Sequence, residues 1–238
     1  MTRLPALLFD LDGTLVDTAQ GIAEALSLLS LARGGDPVDA GRVRSLVNLG
    51  VEVLVCRSLG DLATDSGRDV SEFRTILASI PADPACVFTG VQATLRQLAS
   101  RGHRMAVVTN KPEKLSRQLL SQVNLDQFFE TVVGGDSVAK RKPDPAPLHH
   151  ALQFLGVDED GAILIGDSDL DAIAADAAGV KFGLFLSGYG SAGCARHQVS
   201  FEFDDFEILV GEEFPHLLGE SEQLQIGSNS LSQRITAL

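Results

Sequence analysis

Short apolar runs bounded by turn residues recur along the chain, and each ends in a polar residue. Ala6-Leu7-Leu8-Phe9 runs into Asp10, Met105-Ala106-Val107-Val108 into Thr109-Asn110, and Thr131-Val132-Val133 into Gly134-Gly135-Asp136. Ala162-Ile163-Leu164-Ile165 runs into Gly166-Asp167, and Val180 to Leu186 forms a fifth run. Continuous rather than alternating hydrophobicity marks strands buried on both faces, as in a parallel sheet. Helical spacing fills the gaps. Val91, Leu95, Leu98 and Ala99 form a stripe closed by Gly102, and Leu115, Leu119 and Leu120 form the next. Leu148, Leu152 and Leu155 are closed by Gly156, and Ile173, Ala174 and Ala177 end at Gly179, each glycine in a C-cap position. This alternation predicts an α/β fold, an open Rossmann-like parallel sheet with right-handed crossovers. Ligands bind outside the carboxyl ends of such strands, so the polar residues ending the runs are expected to converge on one edge.

From about Ala19 to Ser79 the rhythm changes. Ile22, Leu26 and Leu29, then Val43, Leu46 and Val47, then Val51, Leu54 and Val55, then Phe73, Ile76 and Leu77 all fall at helical spacing. The pattern predicts an all-helical insert after the first strand, hinged at Asp17–Gly21 and Pro81–Val91. The expected organisation is an α/β core over residues 1–17 and 84–219 and a helical domain over 18–83. The polar residues 220–238 are expected to form a mobile tail.

Composition narrows the function classes. Of 238 residues, 45% are hydrophobic, and 32 acidic side chains face 19 basic ones, for a formal net charge of −13. Such a chain lacks the basic face that phosphate backbones demand, which excludes nucleic acid as a partner. It would also be repelled by anionic lipid, and no apolar run reaches the roughly 18–20 residues of a bilayer span. The apolar stretch before Asp10 is too brief for a signal peptide. Cys56, Cys86 and Cys194 cannot all pair and have no metal-ligand spacing, so a cytoplasmic address is expected.

The strongest chemical signal is Phe9-Asp10-Leu11-Asp12-Gly13-Thr14-Leu15-Val16-Asp17. Two carboxylates one residue apart, at the end of a buried strand, repel each other unless a cation compensates them. Mg²⁺ favours such oxygen ligands together with a substrate phosphate. This motif resembles the first signature of the haloacid dehalogenase-like superfamily, and the helical insert resembles its C1-type cap. The resemblance covers about residues 6 to 215, with four motifs in order. Thr109-Asn110-Lys111-Pro112, Gly134-Gly135-Asp136 and Lys142-Pro143-Asp144-Pro145-Ala146-Pro147-Leu148 resemble the phosphoglycolate phosphatase-like members.

The resemblance implies a role for each motif residue. Asp10 would be the nucleophile that accepts a phosphoryl group, and Asp12 the general acid and then base. Asp10, the Asp12 backbone carbonyl and Asp167 would hold Mg²⁺. Thr14 is expected to bond locally, Gly13 to permit the turn, and Thr109 and Asn110 to bind phosphate. The third motif must supply a cation. Lys140, Arg141 and Lys142 compete for that part, and Lys142 is chosen because it directly precedes the proline-rich segment, with Lys140 the runner-up. Asp171, four residues after Asp167, is expected to face the same side and hold a metal-bound water, with Ser168 orienting it. Asp169 is expected to serve the helix dipole.

Within this family picture Asp12 excludes a dehalogenase. A phosphonate-cleaving enzyme needs a cap lysine, but Lys111 is the first lysine of the chain. Arg44, Asn48 and Gly50 are candidate substrate-facing residues of the cap. Their segment keeps one glycine of the family's Gly-x-Gly-like loop, a departure that bears on which ester is accepted. The expected activity is Mg²⁺-dependent hydrolysis of a small phosphorylated metabolite such as phosphoglycolate, by a monomer or dimer. A sugar-phosphate mutase is the alternative, followed by a non-catalytic binding protein.

Overall fold

The computed structural model describes residues 4–194, 199–211 and 214. The expected tail at 220–238 lies outside them. By its internal contacts the chain separates into two compact units. One takes in the chain up to Val16 and from Val87 onward, and the other is Asp17–Cys86.

The first unit is a parallel sheet of β1 (Ala6–Phe9), β2 (Met105–Val108), β3 (Thr131–Val133), β4 (Ala162–Gly166), β5 (Lys181–Phe185) and β6 (Phe201–Phe203), in the order β3-β2-β1-β4-β5-β6. All residues of β1, β2 and β4 are buried. The first five strands coincide with the apolar runs. β6 was not foreseen: Phe201-Glu202-Phe203 is too short, and carries a charge at its centre. It joins the sheet because Phe203 and Phe185 pack with ring centroids 5.4 Å apart, and Phe206 lies 5.0 Å from Phe185.

To this unit belong α5 (Val91–Arg101), α6 (Glu113–Gln122), α7 (Ala146–Leu155) and α8 (Asp169–Ala178). α7 and α8 pack over the face carrying Leu8, Ala106, Val133, Leu164 and Leu184. The alternate residues Leu7, Phe9, Val107 and Ile163 point to the opposite face and are equally buried. The stripe expected for α8 is corrected. Ile173 and Ala177 are exposed, while Asp171, Ala172, Ala174, Ala175 and Ala178 are buried. A polar residue, Asp171, belongs to the inward face, so hydrophobic spacing alone misjudges the phase of this helix.

The second unit consists of α1 (Ala19–Ala32), α2 (Ala40–Leu46), α3 (Val51–Leu59) and α4 (Ser66–Ser79), linked by short 3₁₀ turns. Asp39 and Asp65 cap α2 and α4 by accepting from Arg42 N and Arg68 N. Arg33 near the end of α1 pairs with Asp69 at 2.8 Å and Glu72 at 2.7 Å, which ties α1 to α4. The units divide at 16/17 and 86/87, and α1 already begins at Ala19, inside the expected first hinge.

Candidate active site

Strand order reverses between β1 and β4, which leave the chain running in opposite directions from the middle of the sheet. A crevice outside the carboxyl ends of the strands forms at such a switch point. Asp10 follows β1 and Asp167 follows β4, and the register pairs Phe9 with Ile165. Parallel pairing therefore brings together two carboxylates 157 positions apart in sequence. Asp171 joins them from the first turn of α8, and one oxygen from each of the three lies within 4.8 Å of the others.

Lys142 enters from the segment before α7 through a cis Lys142–Pro143 peptide. Its Nζ lies 2.7 Å from Val108 O, 2.6 Å from Asp171 Oδ1 and 3.0 Å from Asp10 Oδ1. Lys140, the runner-up, pairs with Asp144 at 3.0 Å and is exposed, as is Arg141. Lys142 is thus the basic residue of the cluster that reaches the carboxylates. Burial works against its charge, but Asp10 and Asp171 outweigh burial and raise its pKa.

The carboxylates sit in an unfavourable field. Burial pushes Asp10 up to about 7, against the pull of Lys142 and with the Asp171 charge adding to the rise. Asp167 is pushed up to about 8, first by burial and then by Asp10 and Asp171. The Asp10 Oδ1 contact with Lys142 is not aligned as a hydrogen bond, so that buried oxygen has no hydrogen-bond partner. Three carboxylates against one lysine, all hard oxygen donors with one unsatisfied atom, are the surroundings that suit a divalent cation. The residues therefore fit a metal ion.

Several expected residues take parts that the sequence did not disclose. Thr14 bonds locally through its backbone, N–H to Leu11 O at 3.3 Å, but its Oγ1 donates to Asp167 Oδ1 at 3.0 Å, because adjacent strands bring the two loops together. Asp171 is committed to protein groups on both oxygens. Oδ1 faces Lys142, and Oδ2 accepts from Ser168 Oγ at 2.6 Å and Ser168 N at 3.2 Å. Asp171 thus also anchors Lys142 by a direct ion pair, a part its spacing from Asp167 did not suggest. Asn110 Nδ2 donates to Lys142 O at 2.9 Å, so its amide steadies the lysine backbone. Thr109 is buried at the end of β2, and its Oγ1 accepts from Lys111 N at 3.3 Å.

Two contributors were missed. Lys111 Nζ lies 3.0 and 3.2 Å from the two carboxylate oxygens of Asp12. The loop after β5 also closes on Asp167: Oδ2 accepts from Tyr189 N at 2.7 Å and Gly190 N at 3.3 Å. A Cβ on Gly188 would stand 2.1 Å from Asp167 Cβ, and one on Gly13, at φ +87°, would stand 2.7 Å from Asp167 Oδ2. Only glycine permits either approach. The signal available was Gly188-Tyr189-Gly190, two glycines flanking the single tyrosine at the end of an apolar run.

Arg44, Asn48 and Gly50 belong to the helical unit. Arg44 Nη2 pairs with Asp17 Oδ2 at 2.6 Å, Asn48 lies in the 3₁₀ turn after α2, and Gly50 precedes α3 at φ +95°.

Known proteins resemble this chain over most of its length. The family model of the haloacid dehalogenase-like hydrolases matches residues 7–185. The chain is 39% identical over 194 residues to a phosphoglycolate phosphatase of Cereibacter sphaeroides, covering 79% of this chain and 88% of the relative. It is 42% identical over 192 residues to the plasmid phosphoglycolate phosphatase of Cupriavidus necator, covering 79% and 83%. A crystal structure of a predicted phosphoglycolate phosphatase from Haemophilus somnus superposes with a TM-score of 0.76 at 26% identity, over 88% of this chain and 98% of that one. With the motifs in order, the carboxylates at the switch point and the family model spanning both units, this chain belongs to the haloacid dehalogenase-like hydrolases.

Proposed function

We propose that this phosphatase hydrolyses a small phosphate monoester of the phosphoglycolate class, with Mg²⁺, through an aspartyl-phosphate on Asp10. The observation that carries the reading is the convergence of Asp10, Asp167 and Asp171 at the switch point of the sheet, with buried Lys142 against Asp10 and Asp171. Relatives at 39% and 42% identity carry the phosphoglycolate phosphatase name, which supports the choice of ester and gives no support to the mutase alternative.

In this reading Asp10 attacks phosphorus, and the bond from phosphorus to the ester oxygen breaks. Asp12 supplies the proton that the leaving alkoxide takes up. Asp12 then accepts a proton from water, whose oxygen attacks the phosphorus of the acyl phosphate, releasing phosphate and restoring the Asp10 carboxylate. Lys142 offers its positive charge to Asp10 and the transferring group, and Asp171 and Asn110 hold it there. Thr109 and the backbone N–H groups of its turn receive phosphate oxygens. Asp10, Asp167 and the Asp12 carbonyl would hold Mg²⁺, which when bound compensates the carboxylates and polarises the phosphoryl group. The helical unit serves as the cap that selects the ester, with Arg44, Asn48 and Gly50 as its specificity residues. Three free cysteines are in keeping with a cytoplasmic site of action.

The test is phosphate release across phosphoglycolate, sugar phosphates, nucleotides and phosphoamino acids with Mg²⁺ present. Phosphoglycolate should give the highest kcat/KM, and chelation should stop turnover. Undiminished activity after exhaustive chelation would refute the metal assignment, and an isomeric ester as product would point to the mutase.

A further inference from the structure

Lys111 is a cation of the site that the reaction just described does not use. It stands on the turn after β2, directly after Thr109 and Asn110, and Gly135 N donates to its carbonyl at 2.9 Å. From there its side chain crosses to the loop after β1 and meets both Asp12 oxygens, so the ammonium sits over the carboxyl ends of two neighbouring strands. Its side chain is 9% exposed, against 2% for Lys142. The two lysines are unlike in what they can still offer. Lys142 Nζ donates to Val108 O and Asp171 Oδ1 and is ion-paired with Asp10, so its charge is shared between two carboxylates. Lys111 Nζ faces a single carboxylate, and among the described residues its remaining N–H has no acceptor.

Charge points the same way. Asp10, Asp12, Asp167 and Asp171 set four carboxyl groups against the two lysines. A divalent cation would be held by those carboxyl groups, and a phosphoryl group would take up the attraction of that cation and of Lys142. An ester bearing a second anionic group then needs a second cation at the carboxyl edge of the sheet, and Lys111 stands there, beside the ends of β1 and β2.

We propose that Lys111 is the specificity-determining residue that recognises the carboxylate of the substrate, and that it separates carboxylate-bearing phosphate esters from uncharged ones. The assignment rests on the proposed phosphatase reading and names the part of the ester that the core unit reads. A charge-assisted N–H···O bond to that carboxylate forms as the ester enters, in exchange for part of the contact with Asp12. Arginine at this position would keep the charge, while methionine would keep the stem and remove it.

The experiment compares wild type, Lys111→Met and Lys111→Arg on phosphoglycolate and on its neutral carboxamide analogue, with p-nitrophenyl phosphate as a third ester and circular dichroism as the check on folding. Wild type should favour phosphoglycolate over the amide. Lys111→Met should lose at least about tenfold more kcat/KM on phosphoglycolate than on the amide, chiefly through KM, as expected for a lost bond to a charged group. Lys111→Arg should retain most of the preference. Equal losses on both esters would overturn the proposal and leave Lys111 as a positioner of Asp12 alone. A wild type that hydrolyses p-nitrophenyl phosphate but not phosphoglycolate would overturn both the proposal and the choice of ester, and turnover of none of the three would overturn the phosphatase reading itself.

Discussion

Asp167 illustrates how much of the site depends on single atoms. It collects a hydroxyl from Thr14 and two backbone N–H groups from the loop after β5, while two glycines leave it room. Replacing Gly188 with alanine would drive a methyl group into its Cβ, at 2.1 Å, against a neighbour that cannot swing aside. The variant should lose about 1–3 kcal/mol of stability in urea unfolding, the usual cost of overpacking, together with Mg²⁺-dependent turnover. In the proposed mechanism Asp10 is the nucleophile, so Asp10→Asn, whose amide is a far poorer one, should lower phosphate release by at least about a thousandfold. Asp12→Asn keeps that nucleophile. With an activated ester, whose leaving group needs no proton, it should accumulate acid-trappable phosphoenzyme while steady-state turnover collapses. Normal turnover without accumulation would reassign the acid and base.

At the scale of elements, the helical unit hangs on a polar knot rather than on apolar packing alone. Arg33, just after α1, meets Asp69 and Glu72 on α4, and Thr64 N and Oγ1 donate to Asp69 at 2.7 and 2.8 Å. These bonds, that of Arg33 first, hold the Asp69 carboxyl down to about 2. A carboxylate that stays ionised in the fold but binds a proton when unfolded stabilises the fold above its ordinary value near 3.8. That stability is lost as pH falls through about 2. Asp69→Asn should therefore lower Tm at neutral pH and flatten the fall in Tm between about pH 4 and 2, seen by circular dichroism. The order of elements was legible throughout: four helical segments after β1, then strand and helix by turns. Two features were not. β6 has too few residues and a central glutamate, and it is specified by phenylalanines from β5 and the turn Phe206–Val210. The phase of α8 is set by Asp171, which must face Lys142, and a polar residue facing inward is invisible to a hydrophobic count.

For the whole molecule, the proposed metal would link the acidic balance to the site. Binding of a cation to the folded form alone raises stability by about 2.7 kcal/mol at a hundredfold excess over its dissociation constant. Mg²⁺ should therefore raise Tm in wild type, and by much less in Asp10→Asn, which lacks a charged donor; an equal rise in both would place the ion elsewhere. The sequence by itself determined the α/β class, the helical insert and the residues at the strand ends, because buried strands and helix faces write their periods into neighbouring positions. It determined the family as well, since Asp10, Asp12, Thr109, Lys142 and Asp167 occur in recognisable local strings. Only the tertiary structure decided which groups answer one another: Thr14 with Asp167, Lys142 with Asp171, and Lys111 with Asp12. Those pairings join loops that are 29 to 153 residues apart. Their partners are chosen by strand register and burial, which no local pattern records.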